Sequence, residues 1–451
     1  MLIYEYKSGY IMFNRKIEKL IEEYITSKDH KILCINGARQ IGKSFIIRYV
    51  CQKHYKNYVE LNMADDFNGD KLFENVNTID KFYIQASILA GEKMSIDERT
   101  MIFIDEIQIY PQLLTLLKKL KQDNKYDYIC SGSQLGIALA DTTLIPMGSI
   151  EKVEMFPMDF EEFLWANSVG KDAIEYLRKC FEKKETIDES IHNKFLNLFK
   201  TYLYVGGLPD AVKAYVETKN VVNIKKVQSE TKEYYGTDAS KYDKEHKLKI
   251  KNIYDVISSN INNKVKRIKF VKIENYDDAR YSKYENEFNY IISSGIALPT
   301  LAISEPKFPL VQSSSKNLIK LYINDVGILT NDLYKNNINA IMEDKTGVNL
   351  GAVYETVVAQ ELKCHGHNLY YYDRKKVGEV DFLIDDYDNL SIIPLEIKSG
   401  SDENNFRALP KIVGDKNYRI QNAYILSNKR EIKVEDKIIY MPIYLIMFFW
   451  C

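Results

Sequence analysis

Eight consecutive residues, Gly37-Ala38-Arg39-Gln40-Ile41-Gly42-Lys43-Ser44, restrict what this chain can fold into more than any other feature, because they fit G-x-x-x-x-G-K-[ST]. Their flanks supply the context that the pattern needs. Lys31–Asn36 (KILCIN) reads as a short buried strand, and Lys43–Gln52 reads as the helix that follows the loop. In such a strand, loop and helix, the glycines let backbone N–H groups wrap a chain of phosphates and the helix N-terminus adds favourable partial charge. The Lys43 ammonium then neutralises the β and γ oxygens, and the Ser44 hydroxyl ligates Mg²⁺. The pattern therefore implies ATP and Mg²⁺ as ligands, with Gly37 through Ser44 and the next residue, Phe45, as the contact set.

The surrounding sequence points to one architecture. Tyr58–Asn62, Thr100–Ile104 and Tyr126–Cys130 are further strand candidates, while Ile79–Ala90 and Leu113–Gln122 carry helical spacing. An amphipathic helix with Asn14 as its cap precedes them. Strands alternating with helices over the first 165 residues imply a mainly parallel sheet covered on both faces. Thr100–Ile104 delivers Asp105 and Glu106 at its C-terminal end, where Asp105 can hold the Mg²⁺ shell and Glu106 can orient an attacking water. The next strand closes in Ser131-Gly132-Ser133, which either places a hydroxyl near the γ-phosphate or simply turns the chain. Arg39 and Arg48 flank the loop and either could reach phosphate, although a surface or structural role is the better reading for Arg48.

Length argues for more than one domain: 451 residues exceed what one hydrophobic core organises, and two to four domains are expected. With 62 basic and 63 acidic residues the formal charge is −1, so a nucleic-acid contact has to come from a local basic surface. The six cysteines show no CxxC pair and no zinc spacing, which suits reduced thiols and a cytoplasmic protein. No apolar run reaches the roughly 18 residues of a membrane span, and no signal peptide is apparent at the start. The apolar stretch Ile438–Trp450 contains Pro442 and reads as a buried strand or helix, so no membrane partner is expected.

Several segments together carry a resemblance. GARQIGKS, IFIDEIQ with Pro111 after it, SGS, the FPMDFEEFL of Phe156–Leu164 and YVGGLPDAV resemble prokaryotic ATPases of the AAA+ superfamily with a C-terminal domain of the PD-(D/E)XK nuclease type. The similarity runs over nearly the whole chain. It implies an α/β multidomain fold: a P-loop parallel-sheet ATPase core over 1–165, a helical lid over 166–239, a winged helix over 240–335 and an α/β nuclease-like domain over 336–451. It puts Gly206–Pro209 in the lid. One departure is that no lid arginine or arginine finger can be assigned.

Two further stretches carry chemistry. Lys241–Lys272 holds ten Lys or Arg against three Asp or Glu, interleaved with Tyr242, Tyr254 and Phe270; it is either a phosphate-contacting face for DNA or a solvated charge run. Tyr281–Ser293 is the candidate recognition helix, although Glu285 and Glu287 oppose a major-groove fit. Glu379–Ile384, a polar turn and Ile392–Lys398 read as a β-hairpin, with Glu396 and Lys398 on one face and Asp381 able to lie across from them. Two carboxylates and an ammonium so placed can hold a divalent metal and stabilise a phosphoryl transition state, or they can form a surface ion-pair ladder. By the resemblance this is the D…(E)xK arrangement, and Glu355 on the preceding helix matches its additional acid.

The resulting expectation is a cytoplasmic ATPase whose nucleotide cycle controls a DNA-acting C-terminal half. Glu106, Lys43 and Lys398 are its candidate catalytic residues, and Ser44, Asp105, Asp381, Glu396 and Glu355 its metal ligands. The alternative is a nucleotide-dependent switch or scaffold for a protein partner. A homo-oligomer is compatible with both.

Overall fold

Every residue of the strand Thr100–Asp105 is buried, and an apolar strand with no solvent face has to lie inside a sheet covered on both sides. It does so in the computed structural model, which describes residues 12–27, 31–94, 98–135, 148–242, 247–262, 266, 283–335, 337–343, 350–399 and 407–450. The chain forms two units. The N-terminal unit is Asn14–Phe156 with Asn289–Ile296, and the C-terminal unit is built mainly from Pro157–Phe288 and Ala297–Cys451.

The N-terminal unit contains β1 (Ile32–Asn36), β2 (Asn57–Asn62), β3 (Thr100–Asp105), β4 (Asp127–Gly132) and β5 (Ile150–Glu154), with α1 (Lys16–Thr26), α2 (Lys43–His54), α3 (Met63–Asn68), α4 (Ile79–Ala90) and α5 (Pro111–Asp123). All neighbouring strands are parallel, in the order β2-β3-β4-β1-β5. The parallel sheet expected from the alternation is present. Because the strands run the same way, the C-terminal ends of β3, β4 and β1 meet along one edge, where open α/β sheets place their ligands. Local chemistry sets the helix ends: Thr78 caps α4, and α5 starts on Pro111 and stops at left-handed Asn124. The cap expected of Asn14 is not formed. Helix α1 begins two residues later, behind an extended Arg15 whose side chain makes no cap bond.

The C-terminal unit opens with the helices α6 (Phe160–Ala166), α7 (Lys171–Lys183), α8 (Glu189–Val205), α9 (Pro209–Thr218), α10 (Val221–Tyr242), α11 (Lys247–Ile261) and α12 (Glu285–Ser293), the last of which ends in the N-terminal unit's segment. Then come β6 (Ala297–Ile303), β7 (Ser314–Ile323), α13 (Val326–Tyr334), α14 (Asn339–Met342), α15 (Gly351–Cys364), β8 (Leu369–Arg374), β9 (Gly378–Asp386), β10 (Ser391–Ile397), α16 (Ala408–Val413), β11 (Ala423–Ser427), β12 (Lys433–Glu435) and β13 (Ile438–Pro442). Strands β6 to β13 form one mixed sheet in the order β12-β13-β11-β10-β9-β8-β6-β7. The sheet runs across the boundary expected between 335 and 336, since β6 pairs with β8. The helices expected as a lid are present and belong to this unit. The apolar stretch from Ile438 becomes β13 and a buried 3₁₀ turn, Ile443–Phe448, and no helix among the described residues is long and apolar enough to cross a membrane. None of the five described cysteines is in a disulfide.

Two motifs of the resemblance are anchors of this unit. Asp159 and Glu162 form a reciprocal capping box at the start of α6, and the Phe160 N–H donates to Glu361 Oε1 at 2.8 Å. At the GGLP turn, the Gly207 N–H donates to buried Asp325 at 2.6 Å, while Gln228 Nε2 donates to the Tyr204 and Val205 carbonyls at 2.9 Å. Burial pushes the Asp325 carboxyl up to about 6, against the backbone N–H groups that favour its charge. A Cβ on Gly207 would sit 2.0 Å from the Met158 carbonyl oxygen, so only glycine fits. We expect Gly207→Ala to destabilise this unit by about 3 kcal/mol, at the upper end of ordinary overpacking. Urea unfolding measures it, and an unchanged midpoint would contradict the packing described.

Candidate functional site

The loop between β1 and α2 is shaped by two constraints. A Cβ on Gly37 would lie 2.2 Å from the Met155 carbonyl oxygen, and Gly42 (φ 91°) and Gln40 (φ 61°) both take left-handed backbone angles. Buried Lys43 turns back into the loop, its Nζ donating to the carbonyls of Gly37 and Ala38 at 2.8 Å each. Ser44 Oγ donates to Asp105 Oδ2 at 2.7 Å, joining the first turn of α2 to the end of β3. Ser131 Oγ donates to the other oxygen, Asp105 Oδ1. The half-exposed Phe45 ring follows on α2.

Glu106 stands beside this pair in a left-handed conformation (φ 53°, ψ 41°), which costs a non-glycine residue about 1 kcal/mol or more and has to be held by its surroundings. Arg39 lies 3.5 Å from Glu106 Oε2, Ser133 Oγ is also 3.5 Å away, and Gln108 Nε2 donates to the same oxygen at 2.5 Å. Arg39 Nε also donates to Ser133 Oγ at 3.4 Å. The structure thus brings Gly37 through Phe45, Asp105, Glu106, Ser131 and Ser133 into one site. Arg48 turns away to a two-bond pair with Glu60 at 2.6 and 2.7 Å, the structural role expected of it.

Two residues of this site were given no role by the sequence. Arg15 reaches from the start of α1 to the carbonyls of Ile41 (3.0 Å) and Phe156 (2.8 Å), pinning the loop from behind. Gln108 was visible only as part of the IFIDEIQ string, and only the left-handed turn at Glu106 folds its amide back onto that carboxylate.

The donor set fits a triphosphate with a divalent cation. One ammonium sits within a glycine loop, a helix N-terminus follows, and a hydroxyl and carboxylate lie at ligand-sharing distance.

A second cluster lies in the C-terminal unit. The expected hairpin is β9 and β10, paired antiparallel from Ser391–Asp386 to Leu395–Phe382. Asp381 Oδ2 accepts from the Ile397 N–H at 2.8 Å, and Lys398 Nζ donates to Glu396 Oε1 at 2.8 Å. Glu355, on α15, accepts from Tyr322 at 3.1 Å and pairs with Lys266, so both its oxygens are engaged. Glu396 Oε2 is buried and has no hydrogen-bond partner among the described residues. Burial, then the charge of Asp381, pushes the Glu396 carboxyl up to about 8 against the pull of Lys398. Among the described residues no group of three or more His, Cys, Asp or Glu is arranged to hold a metal. Much of the basic stretch Lys241–Lys272, and the start of Tyr281–Ser293, lie outside the described residues.

Comparison with known proteins places the two units differently. Residues 29–164 match the family described as AAA domain, whereas 196–337 and 350–446 match two domains of unknown function, DUF8612 and DUF4143. The chain is similar to the uncharacterized protein MJ1544 of Methanocaldococcus jannaschii, 24% identical over 442 residues that cover 94% of this chain and 88% of that one. It is also similar to an uncharacterized protein of Haemophilus influenzae, 24% identical over 174 residues, 37% of this chain and 42% of the other. Among solved structures, the Walker-type ATPase PABY2304 of Pyrococcus abyssi aligns over 73% of this chain and 99% of its own, at 13% identity and a TM-score of 0.45. The Aeropyrum pernix ORC1 protein in complex with DNA aligns over 73% and 94%, at 10% identity and a TM-score of 0.30. The AAA-domain match falls on the residues that build the parallel sheet and its loop, so the N-terminal unit has both the sequence and the geometry of a P-loop nucleotide-binding domain.

The Glu396 shift has a measurable sign. Its folded value lies above the ordinary 4.5, so the stability it contributes is present below that value and is lost as pH rises toward about 8. The thermal midpoint of the wild-type chain should fall more between pH 5 and pH 8 than that of Glu396→Gln. Parallel pH profiles would show that Glu396 is not held protonated.

Proposed function

We propose that the N-terminal unit binds ATP with Mg²⁺ and hydrolyses it, and that this turnover controls the C-terminal half. The observation that carries the reading is the Ser44–Asp105 contact of 2.7 Å beside a lysine turned into its own glycine loop. Ser44 and Asp105 would hold Mg²⁺, which when bound offsets charge on the phosphates. Lys43 supplies the fixed positive charge for the β and γ oxygens, and the loop amides orient them. Glu106 is the group that can align a water and accept its proton, and Gln108, Ser133 and Arg39 hold that carboxylate toward the site.

For the C-terminal half we propose a divalent-cation site at Asp381 and Glu396, with Lys398 facing the charge that builds on a phosphodiester of DNA and Glu355 behind them. Glu396 Oε2, which has no partner among the described residues, supports it, because a buried carboxylate oxygen without a donor is costly and a cation would satisfy it. The alternative, a nucleotide-dependent scaffold for a protein partner, is favoured by a different observation: Lys398 and Lys266 already neutralise Glu396 and Glu355. Winged-helix contact with DNA through 240–335 belongs to the first reading.

Lys43→Ala should reduce ATP binding or turnover by about a hundredfold or more. Glu106→Gln should keep ATP binding and slow hydrolysis by about 10² to 10⁴. If Asp105→Asn did this while Glu106→Gln changed nothing, the two carboxylates would have to exchange roles. Incubation with Mg²⁺ or Mn²⁺ and assorted DNA forms tests the second site. Strand breaks lost in Asp381→Ala and Glu396→Ala with ATP turnover intact support it, and no breaks in wild type favour the scaffold.

A further inference from the structure

A short segment distant in sequence is built into the nucleotide site. Asn289–Ile296 belongs to the N-terminal unit, although it lies about 250 residues after the loop and is followed at once by β6 of the other unit's sheet. Three contacts tie it to the elements around the loop. The Tyr290 hydroxyl accepts from Gln134 Nε2 at 2.7 Å, both side chains being buried, and Gln134 directly follows Ser133. The Ser293 carbonyl accepts from Asn36 Nδ2 at 3.5 Å, and Asn36 is the last residue of β1, its Oδ1 accepting from the Leu135 N–H at 3.1 Å. Gly295 (φ 74°) lies flat against the first peptide of the loop: a Cβ there would be 3.1 Å from the Ala38 nitrogen and 3.7 Å from Gly37 Cα.

These contacts fall on both walls of the site. Asn36 and Ala38 bracket the start of the loop, and Gln134 continues from the two serines that face Asp105 and Glu106. Asn36 joins the walls, because its amide bonds both Leu135 and Ser293. A glycine at 295 is required by its left-handed backbone as well as by the close approach.

We propose that Asn289–Ile296 is a positioning element of the ATP site, with Tyr290 and Gly295 as its positioning residues, so that nucleotide affinity is set in part by chain leading directly into the C-terminal sheet. The proposal rests on the ATP reading of the loop. It is reciprocal: if docking of the segment tightens nucleotide binding, nucleotide tightens docking by the same factor. ATP occupancy is thereby transmitted to the residues that precede β6.

Tyr290→Phe keeps the ring and removes the hydroxyl acceptor, leaving Gln134 Nε2 unsatisfied; Gly295→Ala forces a strained backbone against Ala38. Equilibrium binding of ATP with Mg²⁺ to the whole chain should weaken about tenfold in Tyr290→Phe, the cost of one buried hydrogen bond with a stranded partner. It should weaken at least as much in Gly295→Ala. In both variants KM for ATP should rise by that factor while kcat stays within about twofold, a split that general destabilisation would not produce. Hydrogen exchange should show amides of 289–296 protected by ATP in wild type and not in Lys43→Ala. Wild-type affinity in Tyr290→Phe, or exchange in 289–296 that ignores ATP while the loop itself is protected, overturns the proposal and leaves the ATP reading standing. If wild type binds no ATP, the ATP reading fails first, and the proposal with it.

Discussion

The contact on which the N-terminal unit depends is the hydrogen bond from Ser44 to Asp105, 2.7 Å long, between the first turn of one helix and the end of one strand. It exists because β1 lies beside β4 and β4 beside β3, all parallel, so that residues 61 apart in sequence arrive at the same edge. The second oxygen of Asp105 takes the Ser131 hydroxyl from β4, and the same carboxylate receives the Glu106 N–H at 3.0 Å. One aspartate thereby sets the distance between loop, strand end and neighbouring carboxylate. Hydrogen bonds of this kind fix the placing of charged groups, and preorganised charge is what becomes useful to a reaction.

The C-terminal unit solves a different problem, that of keeping many charges inside. Asp325 is held by backbone N–H groups at the GGLP turn and at the start of α13, and Glu361 by the Phe160 N–H and Tyr202. Each carboxylate joins segments far apart in sequence, so each acts as a cross-brace. Glu396 is braced by Lys398 through Oε1, while its Oε2 finds no donor among the described residues.

Much of the first site was legible in the sequence because its parts are local. GARQIGKS carries its own turn chemistry, and IFID can only be a buried strand ending in an acid. The hairpin at Asp381 and Glu396 was legible for the same reason, an apolar alternation interrupted by a polar turn. What was not legible depends on distant pairing. Arg15 sits at the start of an amphipathic helix with nothing local to mark it, yet it braces Ile41 and Phe156. The resemblance implies that strands β6 and β7 belong to a winged helix over 240–335, and only the pairing of β6 with β8 joins them to the C-terminal sheet. Tyr290 and Gly295 give no local sign that they belong beside the loop, since their partners are Gln134 and Ala38.

The central claim is that the loop, Asp105 and Glu106 form a working ATPase rather than a glycine turn beside two acids. Steady-state release of phosphate from ATP by the 451-residue chain, measured across ATP concentrations with Mg²⁺ and again with the cation chelated, tests it most directly. The account predicts saturable release that disappears on chelation and returns when Mg²⁺ is restored. No saturable release, together with no heat of ATP binding in calorimetry, would contradict it.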